Sequence, residues 1–112
     1  ETVNLIGDRE FDLMRNGAHI LCLTRGGIIN TEALLRALDS GKIAGAGLDV
    51  TDPEPLPDDH PLWDYPNVII TPHASGQSEV AHRRLGELVV DNARRFQRGE
   101  PLRNLVDLEL RY

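Results

Sequence analysis

Apolar positions along this chain follow two alternating periods. Residues 8–14 suit a short helix, and Arg15-Asn16-Gly17 is a turn in which Gly17 supplies a left-handed position. Residues 18–23 (AHILCL) are nearly all apolar, the pattern of a strand covered on both faces as in parallel sheets. Gly26-Gly27 breaks that run. Asn30 is placed to cap a helix over Thr31–Asp39, with Leu34, Leu35 and Leu38 on one face and Gly41 just past its end. Residues 43–50 predict a second buried strand and residues 68–71 a third. Between them Pro53, Pro55, Pro57 and Pro61 predict a loop without regular structure. Residues 78–98 predict a long helix, capped by Ser78 and ended by Gly99-Glu100-Pro101. Its apolar stripe runs through Ala81, Leu85, Leu88, Val89, Ala93 and Phe96. Residues 102–106 read as an extended tail, apolar at alternate positions.

Strand, helix, strand, loop, strand, helix is the logic of a parallel sheet with helices on its faces, an α/β architecture. A doubly wound nucleotide-binding sheet usually has six strands in two halves, so three strands predict half of a Rossmann-like sheet with flanking helices. The Gly-x-Gly at Gly45-Ala46-Gly47 invites comparison with a dinucleotide fingerprint, but the third glycine is missing. Thr51-Asp52-Pro53, moreover, cannot open the helix such a fingerprint needs. Glycine inside a strand marks a close approach, so these glycines are read as packing devices. Gly26-Gly27 reads as a tight strand-to-helix turn.

Composition narrows the partners. Twelve basic against eighteen acidic residues give a net charge of −6 over 112 residues, which argues against nucleic acid or an anionic membrane. No apolar run is long enough to span a bilayer, and the first residues lack the pattern of a signal peptide. A single cysteine, Cys22, fits a reducing, cytoplasmic setting. No metal site is expected.

Ionisable residues follow the carboxyl end of each expected strand: Thr24-Arg25-Gly26 after the first, Asp49 and then Glu54 after the second, Thr71-Pro72-His73 after the third. That rim is where open α/β sheets bind ligands. Each residue has a plain alternative, since an arginine after a strand is usually a surface charge and a lone histidine usually structural, as His19, His60 and His82 are expected to be. The case for chemistry rests on convergence at one edge, with Pro72 fixing the approach to His73 and Pro53 and Pro55 stiffening the segment that holds Glu54. An imidazole, a carboxylate and a guanidinium together make a proton carrier, an orienting anion and a carboxylate clamp.

In this order and spacing, Arg25-Gly26, Leu48-Asp49-Val50, Glu54-Pro55, Pro61-Leu62-Trp63, Asn67-Val68 and Thr71-Pro72-His73 resemble the D-isomer-specific 2-hydroxyacid dehydrogenases. The likeness continues to Gly99-Glu-Pro-Leu102 and Asn104-Leu-Val106. It implies hydride transfer between a nicotinamide cofactor, NAD or NADP with NAD favoured, and C2 of a small 2-oxo or 2-hydroxy acid, as in glyoxylate and hydroxypyruvate reductases. By the same resemblance Arg25 grips the substrate carboxylate, His73 carries the proton and Glu54 orients the imidazole. Thr24, Arg25, Asp49 and His73 line the cofactor, with Asp49 on the nicotinamide carboxamide. Residues 1–100 are then the C-terminal half of a nucleotide-binding domain, and 101–112 a tail returning toward a substrate domain. A homodimer is implied.

Two departures from the family pattern stand out. Cys22 occupies the place, three residues before the arginine, where the family often has asparagine, so a polar contact there is expected to be weaker or lost. The glycine fingerprint and the residue that separates NAD from NADP are absent from this sequence, so the chain alone is expected to bind NAD weakly and not to turn over substrate. An exposed sheet edge inviting self-association is expected as well. The alternative function is a nucleotide-sensing corepressor of the same superfamily, which keeps the same Arg, Glu and His and acts by recruiting partners.

Overall fold

The computed structural model describes residues 2–109, which fall into two compact units, residues 2–75 and 76–109. The long helix and the tail lie in the second of these units.

The first unit holds three parallel strands, β1 (Ala18–Cys22), β2 (Ile43–Leu48) and β3 (Val68–Ile70), in the order β1-β2-β3. Helix α1 (Asp8–Leu13) precedes β1, and α2 (Thr31–Asp39) connects β1 to β2. Asn30 caps α2 as expected, its side-chain oxygen accepting from the Ala33 N–H at 2.8 Å. The register sets Ile20 beside Ala46 beside Val68 and Cys22 beside Leu48 beside Ile70. These residues form the core with Phe11 of α1, Ala33, Leu34, Ala37 and Leu38 of α2, and Leu56 and Leu62 of the loop beyond. Arg36 of α2 also holds α1 through two hydrogen bonds to Asp8, at 3.0 and 2.9 Å.

Side chains alternate across a strand, so the other face carries the row Leu21, Gly47, Ile69. Leu21 and Ile69 are 72% and 70% exposed, so the sheet is covered on one face only within this unit. The glycines lie within β2, as packing devices should. A Cβ on Gly45 would stand 2.7 Å from the Asn67 carbonyl oxygen, and one on Gly47 2.6 Å from Leu21 Cδ2. Gly26 is tighter still: a Cβ there would come within 1.8 Å of the Thr51 carbonyl oxygen.

Two short 3₁₀ helices depart from expectation. Gly26–Ile28 forms one inside the strand-to-helix turn, and Pro61–Asp64 forms another within the proline-rich loop, which was expected to be irregular. Proline suits the first turn of a helix because no partner is needed there for its missing N–H, and the His60 Nδ1 accepts from the Leu62 N–H at 3.2 Å.

In the second unit, α3 (Glu79–Arg98) begins at Ser78, whose hydroxyl accepts from the Ala81 N–H, and ends at Gly99 with φ +67°. The tail turns back along the helix. Asn92 clamps Arg103, donating to its carbonyl at 3.0 Å and accepting from its N–H at 2.8 Å, while Asp91 accepts from Arg95 and Arg103. No residue of α3 is buried, and Leu85, Val89 and Phe96 of the expected stripe are exposed.

Gly26→Ala forces the Thr51 backbone aside and is expected to cost at least about 1–3 kcal/mol. Gly86→Ala, at an open helical position, is expected to add about 0.5–1 kcal/mol. Urea unfolding of the two variants measures both.

Tyr65 donates its phenolic proton to Asp39 at the end of α2, and that bond, helped by desolvation, pushes the phenol pKa from 10.0 up to about 12. A raised pKa means that the folded state favours the protonated form. The contribution is complete below pH 10.0 and is lost as pH climbs toward 12. Tyr65→Phe is expected to abolish the part of the alkaline stability loss between those values, read as the difference between two denaturation-versus-pH curves.

Candidate functional site

The carboxyl edge of the sheet is built by continuing the strand ladder past the strands themselves. The Asp49 N–H donates to the Cys22 carbonyl and the Thr71 N–H to the Leu48 carbonyl, both at 2.9 Å, so the segments after all three strands leave the sheet side by side. Close contact at Gly26 lays residues 51–52 against the turn after β1. The Thr31 hydroxyl pins that segment by donating to the Asp52 carbonyl at 2.8 Å. Glu54 follows directly.

His73 meets Glu54 there. Nδ1 and Oε1 are 2.6 Å apart, with both side chains roughly half exposed. His73 has φ +53°, a left-handed backbone that costs a non-glycine residue about 1–2 kcal/mol. A cavity of about 350 Å³ opens beside the pair, its wall including Asp49, Leu56, Trp63 and Ile70. The Trp63 indole N–H is fixed on the Pro57 carbonyl at 2.8 Å.

Asp49 follows β2 directly, at 3% exposure. Its Oδ1 accepts from the Thr71 hydroxyl at 2.5 Å and the Ala74 N–H at 2.9 Å, and its Oδ2 from the Ser75 N–H at 2.8 Å. Bonds from the Ser75 side chain, the Thr71 hydroxyl and the Ser75 and Ala74 amides hold its carboxyl far below the usual range, against the opposing effect of burial.

Glu54, His73 and Asp49 thus share one cavity. Arg25 and Thr24 lie outside its wall, at the end of β1. The Arg25 guanidinium is exposed and folds back to donate to the Thr24 carbonyl at 2.8 Å. The Cys22 thiol donates to the Arg25 carbonyl at 3.5 Å. Thr71 and Ser75 were not singled out from sequence. Their signal is an acidic residue closing an apolar strand, which needs donors from a neighbouring segment.

The donor set fits the nicotinamide end of a dinucleotide. Asp49 places an ionised carboxylate, an acceptor for an amide N–H, in the wall of that cavity. The Gly-x-Gly of β2, locked inside a strand, offers no phosphate cradle. Among the described residues no helix is long and apolar enough to cross a membrane.

A family model described as D-isomer specific 2-hydroxyacid dehydrogenase, NAD binding domain, matches residues 1–75. The chain is 41% identical over 110 residues to a glyoxylate reductase of Korarchaeum cryptofilum, covering 98% of this chain and 33% of that protein. It is 37% identical over 108 residues to a D-3-phosphoglycerate dehydrogenase of Archaeoglobus fulgidus, covering 96% of this chain and 20% of that one. Among solved structures, the D-isomer specific 2-hydroxyacid dehydrogenase of Xanthobacter autotrophicus, in complex with NADPH and MES, superposes with a TM-score of 0.86 at 38% identity, covering 99% of this chain and 45% of that one.

The three-stranded parallel sheet with its helices is therefore a Rossmann-like part of a nucleotide-binding domain, the class that the fold and the rim define. The chain belongs to the D-isomer specific 2-hydroxyacid dehydrogenase family. It spans about a third or less of the length of the two enzymes it is compared with by sequence.

The lowered Asp49 pKa has a consequence in acid. A depressed carboxyl stabilises the fold fully above its ordinary value of 3.8, and that contribution is lost as pH falls below it. Protection of the Ala74 and Ser75 amides, relative to their intrinsic exchange rates, is expected to decline below about pH 4, and less steeply in Asp49→Asn.

Proposed function

We propose that the protein of which this chain forms part is a nicotinamide-dependent D-2-hydroxyacid dehydrogenase acting on a small 2-oxo or 2-hydroxy acid of the glyoxylate or hydroxypyruvate kind. The observation that carries this reading is the His73–Glu54 pair at 2.6 Å on the carboxyl rim of a sheet that matches the family's NAD-binding domain. In this reading residues 1–100 are the C-terminal half of the nucleotide-binding domain and 101–112 a tail returning to a substrate domain. The protein is a cytoplasmic homodimer, and NAD is the preferred form of the cofactor.

When bound, the cofactor supplies a hydride to C2 of the oxo acid or accepts one from the hydroxy acid. The chain's own residues handle charge and the proton. Glu54 accepts from Nδ1–H of His73 and orients the ring, which leaves Nε2 to face substrate. In reduction Nε2–H gives its proton to the carbonyl oxygen as the hydride arrives at carbon, and in oxidation it takes that proton back. Arg25, freed from the Thr24 carbonyl, pairs with the substrate carboxylate through two N–H donors, a geometry lysine cannot supply. Thr24, Arg25, Asp49 and His73 line the nicotinamide edge, with the Asp49 carboxylate accepting from the carboxamide N–H.

In the full-length protein, reduction of glyoxylate and hydroxypyruvate is expected to fall as pH rises, because it needs protonated His73, while oxidation shows the opposite trend. Glu54→Gln is expected to lower kcat with little change in KM, because the imidazole loses the carboxylate that orients it. Arg25→Ala is expected to lower kcat/KM on the order of 10²- to 10³-fold, because a charged partner is left unpaired. Steady-state kinetics across pH measure all three. Unchanged kcat/KM in Arg25→Ala would remove the guanidinium from its role, and cofactor binding without turnover of any 2-oxo acid would overturn the reading.

A further inference from the structure

We infer that Asp49 is a positioning residue, which acts through the backbone of residues 71–75 to set the His73 imidazole against Glu54. A carboxylate at 3% exposure has to find donors, and among the described residues it has no cationic partner. Every donor that meets it comes from one five-residue segment, and the donors straddle His73: the Thr71 hydroxyl on one side, the Ala74 and Ser75 N–H groups on the other. Between these anchors the backbone of His73 takes its left-handed value of +53°. A strained residue persists only where its surroundings over-determine it, and three bonds to one buried anion do that. The Ser75 hydroxyl adds a longer contact, 3.4 Å to the Leu23 carbonyl, which ties the same segment to the end of β1 just before Thr24 and Arg25.

The consequence is directional. Asp49 makes no hydrogen bond to the imidazole, yet it fixes which ring nitrogen faces Glu54. With Nδ1 held 2.6 Å from the carboxylate, the neutral ring carries its proton on Nδ1 and presents Nε2 as the working nitrogen. Loosening the 71–75 segment lets the ring turn away and the tautomers mix.

This inference rests on the reading of His73 as the acid–base group for its purpose, but its test does not require turnover. In the full-length protein, imidazole ¹⁵N shifts are expected to show His73 as the Nδ1–H tautomer when neutral. Asp49→Asn, which puts an amide where two acceptors stood, and Thr71→Val, which removes one hydroxyl without changing charge, are expected to mix the tautomers. Both are also expected to raise amide exchange at Ala74 and Ser75 by 10-fold or more, and Thr71→Ser is expected to restore both signals. In turnover, Thr71→Val should lower kcat while leaving KM for the oxo acid near its original value. Unaltered tautomer and exchange in Thr71→Val and Asp49→Asn would overturn the inference. So would a tautomer change in Asp49→Asn alone, because that pattern belongs to the charge and not to the backbone. If Asp49→Asn does not fold, the comparison of Thr71→Val with Thr71→Ser decides. Absence of dehydrogenase activity, by contrast, counts against the function and leaves the nitrogen shifts to report on position.

Discussion

A carboxylate withdrawn from water at the end of β2 has to be met by donors, and that requirement organises the whole rim. Asp49 sits where a parallel strand leaves the sheet, its own N–H already given to the Cys22 carbonyl. Only a neighbouring segment folding over it can satisfy its oxygens. The stretch after β3 does so with one hydroxyl and two backbone amides, and in that folding His73 is turned toward Glu54. The energetic demand of one buried charge and the geometry of the exposed pair are thus two sides of a single arrangement.

Close backbone approach brings the second half of the pair into reach. Gly26 tolerates the Thr51 carbonyl where any side chain would collide, and Thr31 at the start of α2 holds the Asp52 carbonyl. The segment carrying Glu54 is therefore seated on the turn that carries Arg25. Arg25-Gly26 works as a unit in this sense: the glycine makes the space, and the arginine stands at its rim.

Much of this was legible in the residues. The three strands, the cap at Asn30, the stop at Gly99 and the strand position of Gly45 and Gly47 follow from local pattern and turn chemistry, which tertiary contacts reinforce here. The Glu54–His73 pairing was legible because proline limits both segments. The 3₁₀ turn at Pro61–Asp64 was not, since a proline cluster reads as irregular until His60 is seen to cap it. The contacts of Asp49 were hidden for another reason. Its partners are two main-chain amides and a threonine more than twenty positions away, and main-chain amides leave no trace in residue identity. The inward fold of the Arg25 guanidinium onto Thr24 is equally a matter of rotamer and not of composition.

The placement of Trp63 has an optical consequence. It is the one tryptophan of the sequence, and its indole is tethered to the Pro57 carbonyl in the wall of the cavity beside Glu54 and His73. Within these 112 residues its emission therefore reports on that cavity alone, and a change in the polarity or filling of the space registers as a shift or quench of that indole.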